Sequence, residues 1–230
     1  MEKRKAKKRA LLPDLLALPP EDLHIEAENK AGKFRKLLRL SQSFGNLGPG
    51  PLQVRRGNSS PMCPGRGKAQ AYQDIYFTDG TKKSYRLREC MIYHPQHKHW
   101  HVVNIARYDL CQIDSVTGGP GKPLASSDKI SFCIVDTHRL DSKRYKGPSY
   151  SRRYSSCSTR ISGITPGWAD LYDYSLYGQW IDITGIKDGT YYLRTTINPK
   201  RLLMETKHEN NAASVKIKIY NGGRSVAIIK

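Results

Sequence analysis

Apolar and polar residues alternate over many short stretches of this chain, and a period of two residues predicts β-strands. The predicted strands cover residues 24–27, 37–43, 52–55, 71–77, 83–87, 97–110, 129–135, 180–184, 189–198 and 213–220. A hairpin turn is predicted at 78–81, because the Asp79-Gly80 pair favours a tight reversal between two strands. No convincing amphipathic helix is present. We therefore predict a mainly β fold, an antiparallel β-sandwich with long loops and few short helices.

Three segments depart from this alternation. Residues 1–10 are strongly basic and predict a disordered arm before a single domain at 11–230. Residues 139–166 are polar and rich in Tyr, Ser and Arg, and a loop of this length is usually functional or disordered. Residues 167–178 lie between two glycines without a clear pattern, so we expect a mobile segment with at most one helical turn.

The chain is strongly basic, with a formal charge of +19 over 230 residues. Such a charge suggests a polyanionic partner, such as nucleic acid, anionic lipid or an acidic wall polymer. The basic residues are spread along the chain, so a solvated basic surface remains the alternative. No apolar run of about 18 residues occurs, so no transmembrane helix is predicted. The basic residues 1–9 lack a following apolar core of signal-peptide length.

Five cysteines stand at positions 63, 90, 111, 133 and 157. None forms a Cys-x-x-Cys pair, so a zinc knuckle is not predicted. The spacing suits one or two disulfides with one thiol left over, which points towards an oxidising compartment.

Four of the seven histidines are concentrated in residues 94–101. On a strand, His97, His99 and His101 would point to one face, with Lys98 and Trp100 on the other. Three neutral imidazoles suit copper or zinc. The alternative is a histidine-rich surface loop.

These residues and several other segments resemble the catalytic domain of the lysyl oxidase family, and the resemblance extends over residues 12–220. Residues 94–101 are similar to the family's copper-binding run. Residues 128–137 are similar to the segment with the cofactor lysine, and 163–172 with 179–184 to the segment with the cofactor tyrosine. The resemblance implies copper ligands at His97, His99 and His101. It also implies a lysyl tyrosylquinone cofactor formed from Lys129 and Tyr172.

The resemblance implies a copper- and quinone-dependent amine oxidase. Such an enzyme uses dioxygen to deaminate primary amines, such as peptidyl-lysine, to aldehydes, and releases ammonia and hydrogen peroxide. The catalytic base stays open among Asp136, Asp170 and His94. Two alternatives from other classes are a non-redox metal-binding β-sandwich and a basic polyanion-binding module. We expect a secreted or cell-envelope protein, with an anionic extracellular polymer as a further partner.

The departures from the family pattern are informative. The sparse cysteines and single domain look like a microbial-type member. The resemblance implies a Cys133–Cys157 disulfide and leaves Cys63, Cys90 and Cys111 unassigned. Some family members bind calcium through segments that match here at Asp14, Leu15, Glu205, Asn210 and Asn211. Lys207 replaces an acidic ligand there, and its positive charge opposes a calcium site. A chain at +19 should also repel a lysine-rich protein, unless the site mouth is acidic or the substrate is small or held in an anionic matrix.

Overall fold

The computed structural model describes residues 7–95, 97–127, 130–157 and 160–230. Its regular elements are all strands: β1 Ala10–Leu11, β2 Leu15–Ala17, β3 Glu21–Lys30, β4 Lys33–Asn46, β5 Leu52–Arg56, β6 Lys68–Phe77, β7 Lys82–His94, β8 His99–Ile113, β9 Pro120–Ser126, β10 Ile130–Phe132, β11 His138–Arg139, β12 Ile161–Ile164, β13 Trp168–Tyr172, β14 Trp180–Asp182, β15 Gly189–Ile197, β16 Ala212–Tyr220 and β17 Ser225–Ile229. The predicted mainly β, antiparallel class is confirmed.

The strands form two sheets. The larger sheet has the order β12-β5-β6-β7-β8-β15-β16-β17, and β1, β9 and β10 pair with β6 or β8 beside it. The second sheet has the order β11-β13-β4-β14, and β2 and β3 also pair with β4. Strands β4 and β8 are the two longest strands, and each pairs with four others.

The core lies between the two sheets. Leu38 and Phe44 of β4 share one buried cluster with Ile105 and Leu110 of β8 and Ile217 of β16, and each is at most 1% exposed. Side chains alternate across a strand, so each sheet contributes one apolar face. Burial of these two faces supplies the main stabilisation of the fold.

The Asp-Gly hairpin is confirmed. Strand β6 ends at Phe77, β7 begins at Lys82, and Gly80 between them has a φ of +81°. That left-handed backbone is accessible to glycine without a steric penalty.

Residues 167–178 differ from the expected irregular segment. Their first part is strand β13, which pairs with β4 from Ala169 opposite Gly45 to Tyr172 opposite Gln42. A single turn follows, in which the Leu176 amide donates to the Asp173 carbonyl. The sequence had allowed at most one helical turn in this segment. Gly167 is required at the start, because its φ is +82° and a Cβ would lie 2.7 Å from Ser149.

The basic arm falls largely outside the described residues, which begin at residue 7. Within the described part, Lys8 forms an ion pair with Asp79 at 3.1 Å, and Ala10–Leu11 pair with β6. The boundary between arm and domain stays a prediction. No helix that is long and apolar enough to span a bilayer occurs in the described ranges.

Two disulfides link the loops to the sheets. Cys133–Cys157 is present as expected, and Cys63 pairs with Cys90. Cys111 is the remaining cysteine, and its thiol is free and buried. The expectation of one unpaired cysteine is therefore confirmed.

Candidate active site

The histidine-rich run forms the turn between β7 and β8. His94 ends β7 and pairs with His99, the first residue of β8. The amides of His97 and Lys98 both donate to the His94 carbonyl, and Lys98 has a φ of +57°. His97 therefore lies in the turn, and its prediction as a strand residue is wrong. The chain must reverse between two antiparallel strands, and the left-handed Lys98 makes that reversal.

The three imidazoles nevertheless lie together. His99 and His101 alternate on β8 and so project to the same face, while the turn brings His97 beside them. One ring nitrogen from each residue lies within 4.8 Å of the other two. His97 Nδ1 is 3.4 Å from His101 Nε2. Two nitrogen ligands of one ion, each about 2.0–2.1 Å from it, are about 3–4 Å apart. The donor set and its spacing therefore fit copper or zinc.

The surroundings of His101 orient it for ligation. Its Nδ1 lies 3.2 Å from the Ser131 Oγ, so an N–H at that atom can be donated to the serine. The lone pair of Nε2 then faces His97. Burial, followed by the neighbouring imidazoles, lowers the pKa of His101 to about 4 from its usual 6.5. Burial and neighbouring imidazoles also lower the pKa values of His94 and His99.

His94 is a fourth imidazole at the edge of this group. Its ring stacks on His97 at 4.1 Å and lies 5.0 Å from His101, measured between ring centroids. Its Nδ1 is buried and has no hydrogen-bond partner among the described residues. His94 supports the ligand cluster from one side.

A cavity of about 410 Å³ opens beside the three histidines. Its other lining residues are Ser131, Phe132, Cys133, Val135, Thr137, Cys157, Asp170, Leu171, Tyr172, Leu176 and Tyr177. Asp170 is the one acidic residue in this described lining. Leu171, Leu176 and Tyr177 are the exposed apolar members and form the rim. The mouth is therefore apolar rather than acidic.

Tyr172 is the last residue of β13, and its ring packs in the cavity wall. The ring stacks on Phe132 of β10, with the two centroids 3.4 Å apart. The hydroxyl lies 2.9 Å from the Cys133 carbonyl oxygen and 2.5 Å from Asp170 Oδ2. Burial, and then Asp170, raise the pKa of Tyr172 well above its usual 10.

A single hydroxyl proton cannot be donated to both neighbours of Tyr172. The contacts are satisfied if Tyr172 donates to the Cys133 carbonyl and a protonated Asp170 donates to the Tyr172 oxygen. Burial raises the pKa of Asp170 to about 8, which agrees with a protonated carboxyl at neutral pH. The pair thus holds a proton at the cavity wall.

Lys129, the lysine expected to form the cofactor, lies outside the described residues, as does Asp128. The chain resumes at Ile130 on β10, which pairs with β8 opposite Ala106, and Ser131 and Phe132 follow opposite Val103 and Val102. Strand β10 therefore carries the residue that contacts His101 and the residue that stacks on Tyr172.

The other acidic candidate, Asp136, has a different environment. Its carboxylate accepts hydrogen bonds from the amides of Arg153, Tyr154 and Thr165 and from the Thr165 hydroxyl. It is fully buried and does not line the cavity. These contacts anchor the loop between Cys133 and Cys157, so Asp136 has a structural role.

Sequence reasoning missed Ser131 and Phe132. Both follow the Lys129 position in a segment that was predicted as a strand, and Ser131 is two residues from it. The period of two would have placed Lys129 and Ser131 on one face. The contact of Ser131 with His101 depends on the pairing of β10 with β8, which the sequence pattern does not specify.

The segments expected from calcium-binding relatives also meet. Lys207 Nζ lies 3.3 Å from an Asp14 carboxylate oxygen, and the Asn210 side-chain amide donates to the other Asp14 oxygen at 2.9 Å. Glu205 accepts from the Leu15 amide and from the Asn211 side chain. The ammonium of Lys207 therefore supplies a positive charge to this acidic cluster.

Comparisons with known proteins find similarity over most of the chain. The family model described as lysyl oxidase matches residues 76–229. Protein-lysine 6-oxidase from Gallus gallus is 35% identical over 143 residues, which is 62% of this chain and 31% of that protein. Protein-lysine 6-oxidase from Sus scrofa is also 35% identical over 143 residues, 62% of this chain and 52% of that protein. Lysyl oxidase homolog 3 from Homo sapiens is 34% identical over 191 residues, 83% of this chain and 20% of that protein. The matched segments thus span about half of these relatives or less.

Proposed function

Since the chain belongs to the lysyl oxidase family, we propose that it is a copper- and quinone-dependent amine oxidase acting on primary amines such as peptidyl-lysine. The observation that carries the proposal is that His97, His99 and His101 line the same cavity as Tyr172. Bound copper and a quinone derived from Lys129 and Tyr172 would supply the redox chemistry that yields an aldehyde, ammonia and hydrogen peroxide.

The metal would be held by His97, His99 and His101. Ser131 fixes the ring of His101, and the stacked ring of His94 limits the rotation of His97. These outer contacts set the orientation of the ligands, which commonly changes metal affinity about tenfold to a hundredfold when disturbed. The role of these residues in metal binding follows from geometry and chemistry together.

Asp170 is the residue best placed to move a proton. It lines the cavity, whereas Asp136 lies outside the cavity lining and its carboxyl oxygens accept hydrogen bonds from the surrounding loop. Its carboxyl contacts the Tyr172 hydroxyl, so it can hold a proton next to the reacting amine. A general base or acid of this kind contributes about 10²–10⁴ in rate.

The cavity walls suit the aliphatic stem of an amine. Val135, Leu171 and Leu176 offer apolar contact to methylene groups. The described rim of the cavity has no exposed acidic residue, so these residues do not attract a polycationic protein by charge. Together with the overall charge of +19, this favours small amines or lysines held within an anionic matrix.

We place the protein outside the cytoplasm, either secreted or in the cell envelope. The two disulfides support this location, because such bonds persist in oxidising compartments.

The test is aerobic copper loading of the apo-protein, followed by peptide mass spectrometry and a peroxide assay with several primary amines. We expect a peptide in which Lys129 is linked to Tyr172. Tyr172→Phe should lack the link and lose at least about a hundredfold in peroxide production. Tyr174→Phe is the matched control, since Tyr174 does not line the cavity, and it should retain both.

Copper content gives a second and separate measurement. His99→Ala should lower the copper bound per chain sharply, whereas His24→Ala should not, because His24 packs on Tyr174 away from the cavity. Stoichiometric copper without the Lys129–Tyr172 link would instead support a non-redox metal-binding protein. Full amine oxidation by Tyr172→Phe would rule the quinone out.

A further inference from the structure

A second cavity, of about 550 Å³, lies at the end of β5. Its lining residues are Arg55, Arg56, Gly57, Asn58, Ser59, Ser60, Gln70, Tyr72 and Arg160. None of these is acidic, and three carry a guanidinium group. We call this cavity the arginine pocket.

Two cations of the arginine pocket, Arg55 and Arg56, are only partly neutralised by the described residues. Arg55 donates to the buried carboxylate of Asp74, which also receives Lys82. Arg56 has its guanidinium carbon 4.7 Å from the centre of the Trp100 ring, and its Nε has no hydrogen-bond partner among the described residues. No described carboxylate pairs with Arg56, so the other N–H groups of its guanidinium can donate to an anionic oxygen in the cavity.

Backbone hydrogen bonds and a disulfide fix the wall of the arginine pocket in the ligand-free protein. The Gln70 amide donates to the Asn58 carbonyl at 3.0 Å, and the Arg56 amide donates to the Arg160 carbonyl at 2.8 Å. Ser60 forms a β-bridge with Cys63, whose disulfide to Cys90 fixes the loop to β7. A fixed wall lowers the ordering cost of binding.

We propose that the arginine pocket binds a sulfate or phosphate ester carried on a sugar unit of an anionic polysaccharide. Guanidinium groups bind such tetrahedral oxyanions through paired N–H donors. The volume exceeds what one inorganic anion needs and falls in the range of small-molecule sites. The side chains of Asn58, Ser59 and Ser60 line the cavity with the hydroxyl and amide groups that hydrogen-bond sugar hydroxyls.

Nucleic acid fits this pocket less well. Proteins that bind single strands stack bases on aromatic rings. Tyr72 is the one aromatic residue in the described lining, and the Arg55 guanidinium already lies over its ring at 5.1 Å. One face of this single ring is therefore already covered, which leaves little aromatic surface for a stacked base.

The arginine pocket lies close to the candidate active site. Arg56 packs on Trp100, and the neighbours of Trp100 on β8 are His99 and His101, which face the opposite side of the strand. A polysaccharide bound here would hold the histidine cavity next to an anionic matrix. The proposal does not require the oxidase activity, because binding is measured on protein without copper.

The test is isothermal titration of the metal-free protein at physiological salt with a heparin-derived hexasaccharide, mannose 6-phosphate and single-stranded DNA. Arg160→Gln removes an exposed rim charge, and Arg56→Gln removes the guanidinium with the unpaired Nε. Arg224→Gln on the exposed β16–β17 turn is the matched control, since it removes the same charge elsewhere. Circular dichroism establishes that each variant is folded, and Arg160→Gln serves alone if Arg56→Gln is not.

We expect at least one of the two sugar esters to bind, with about tenfold or greater loss in each folded pocket variant and less than twofold loss in Arg224→Gln. Preference for the hexasaccharide identifies sulfate as the ester, and preference for the sugar phosphate identifies phosphate. Equal losses in all three variants would show that charge alone drives binding and would overturn the proposal. DNA binding with the same dependence on Arg56 and Arg160 would overturn the choice of polysaccharide, and absence of binding by both sugar esters would overturn the site.

Discussion

Asp136 and Asp170 are both buried acidic residues beside the same loop, yet their carboxyl groups meet different partners. Asp136 accepts four hydrogen bonds from Arg153, Tyr154 and Thr165, so its carboxyl oxygens are already engaged. Asp170 meets the amide of Val135 and the hydroxyl of Tyr172, and it faces the cavity. The sequence offered both as candidate bases, and only their surroundings distinguish them.

The free energy of unfolding should depend on pH through the protonation of Asp170. Burial raises its folded-state pKa to about 8, whereas an unfolded aspartate titrates near about 3.9. The folded state therefore binds this proton more tightly, so its stabilising effect is complete below about pH 4 and is lost as the pH rises to about 8. Asp170→Asn keeps a neutral hydrogen-bonding group and should lose this slope. Chemical denaturation between about pH 4.5 and 8.5 measures the two profiles.

A matched control separates this effect from a general change in charge. Asp173 accepts hydrogen bonds from Ser175, which lower its pKa, so its contribution is lost only as the pH falls towards acid. Asp173→Asn should therefore leave the profile above about pH 5 parallel to that of the wild type. Parallel profiles for Asp170→Asn as well would contradict the assignment of the proton.

At the level of single residues, some features of the site could be predicted from the sequence and others could not. The alternation of His99 and His101 was readable from their period of two, and His97 joined them through a turn that the pattern did not predict. Tyr172 reads as an ordinary packing aromatic, and its stacking on Phe132 agrees with that description. Only the family resemblance singled it out, because a cofactor precursor has no distinctive pattern of its own.

At the scale of elements, the long strands were predictable and several short ones were not. Strands β4, β6, β7, β8, β15 and β16 carry clear alternation, and their predicted ranges fall within or close to the observed ones. Residues 120–126 were not predicted as a strand, yet β9 pairs with β8 there. Proline is tolerated at such a position because β9 is an edge strand with bulges. Strand β13 was missed because its polar Asp170 is buried whereas its apolar Leu171 is exposed, so the usual alternation is absent.

The two disulfides offer a comparison between elements. Their loops are of similar length, with sequence separations of 27 for Cys63–Cys90 and 24 for Cys133–Cys157. Replacing either pair by serine should therefore lower the free energy of unfolding similarly, by about 3–4 kcal/mol in the chain-entropy model. Only Cys133 and Cys157 place sulfur atoms beside His99. Loss of that pair should also weaken copper binding, by about tenfold or more.

Denaturation and copper titration of the two double-serine variants measure these effects separately. The Cys63–Cys90 variant is the control for a destabilised protein with an intact histidine cluster. Equal copper affinity in both variants would show that the disulfide next to His99 does not position the ligands.

At the scale of the whole molecule, charge and topology act together. The chain carries +19, and the described lining of the histidine cavity contains no acidic residue apart from the buried Asp170. A soluble lysine-rich protein would therefore be repelled during approach. An anionic matrix bound at the arginine pocket would screen this charge and bring embedded lysines near the cavity. The two sites lie on opposite faces of β8, and each proposal has its own test.

Lys207 lies against Asp14, and this ion pair joins segments that are 193 positions apart in the sequence. Lys207 is half exposed, so Lys207→Ala should cost only about 1 kcal/mol of unfolding free energy. The melting temperature of the wild type should be unchanged by calcium or by a chelator, because the Lys207 ammonium already supplies the countercharge to Asp14.

The variant Lys207→Asp tests whether the ammonium of Lys207 takes the place of a calcium ion. The variant would bring a third carboxylate to those of Asp14 and Glu205, beside the backbone carbonyls of residues 205–211. This is a donor set suited to calcium. Its melting temperature should fall without calcium and recover when calcium is added. Lys200→Asp is the matched control, because Lys200 is equally exposed and pairs with Glu89 at the same 3.3 Å distance. It should be destabilised without any response to calcium. Calcium stabilisation of the wild type, or the same calcium response in both variants, would show that Lys207 does not act as the built-in cation.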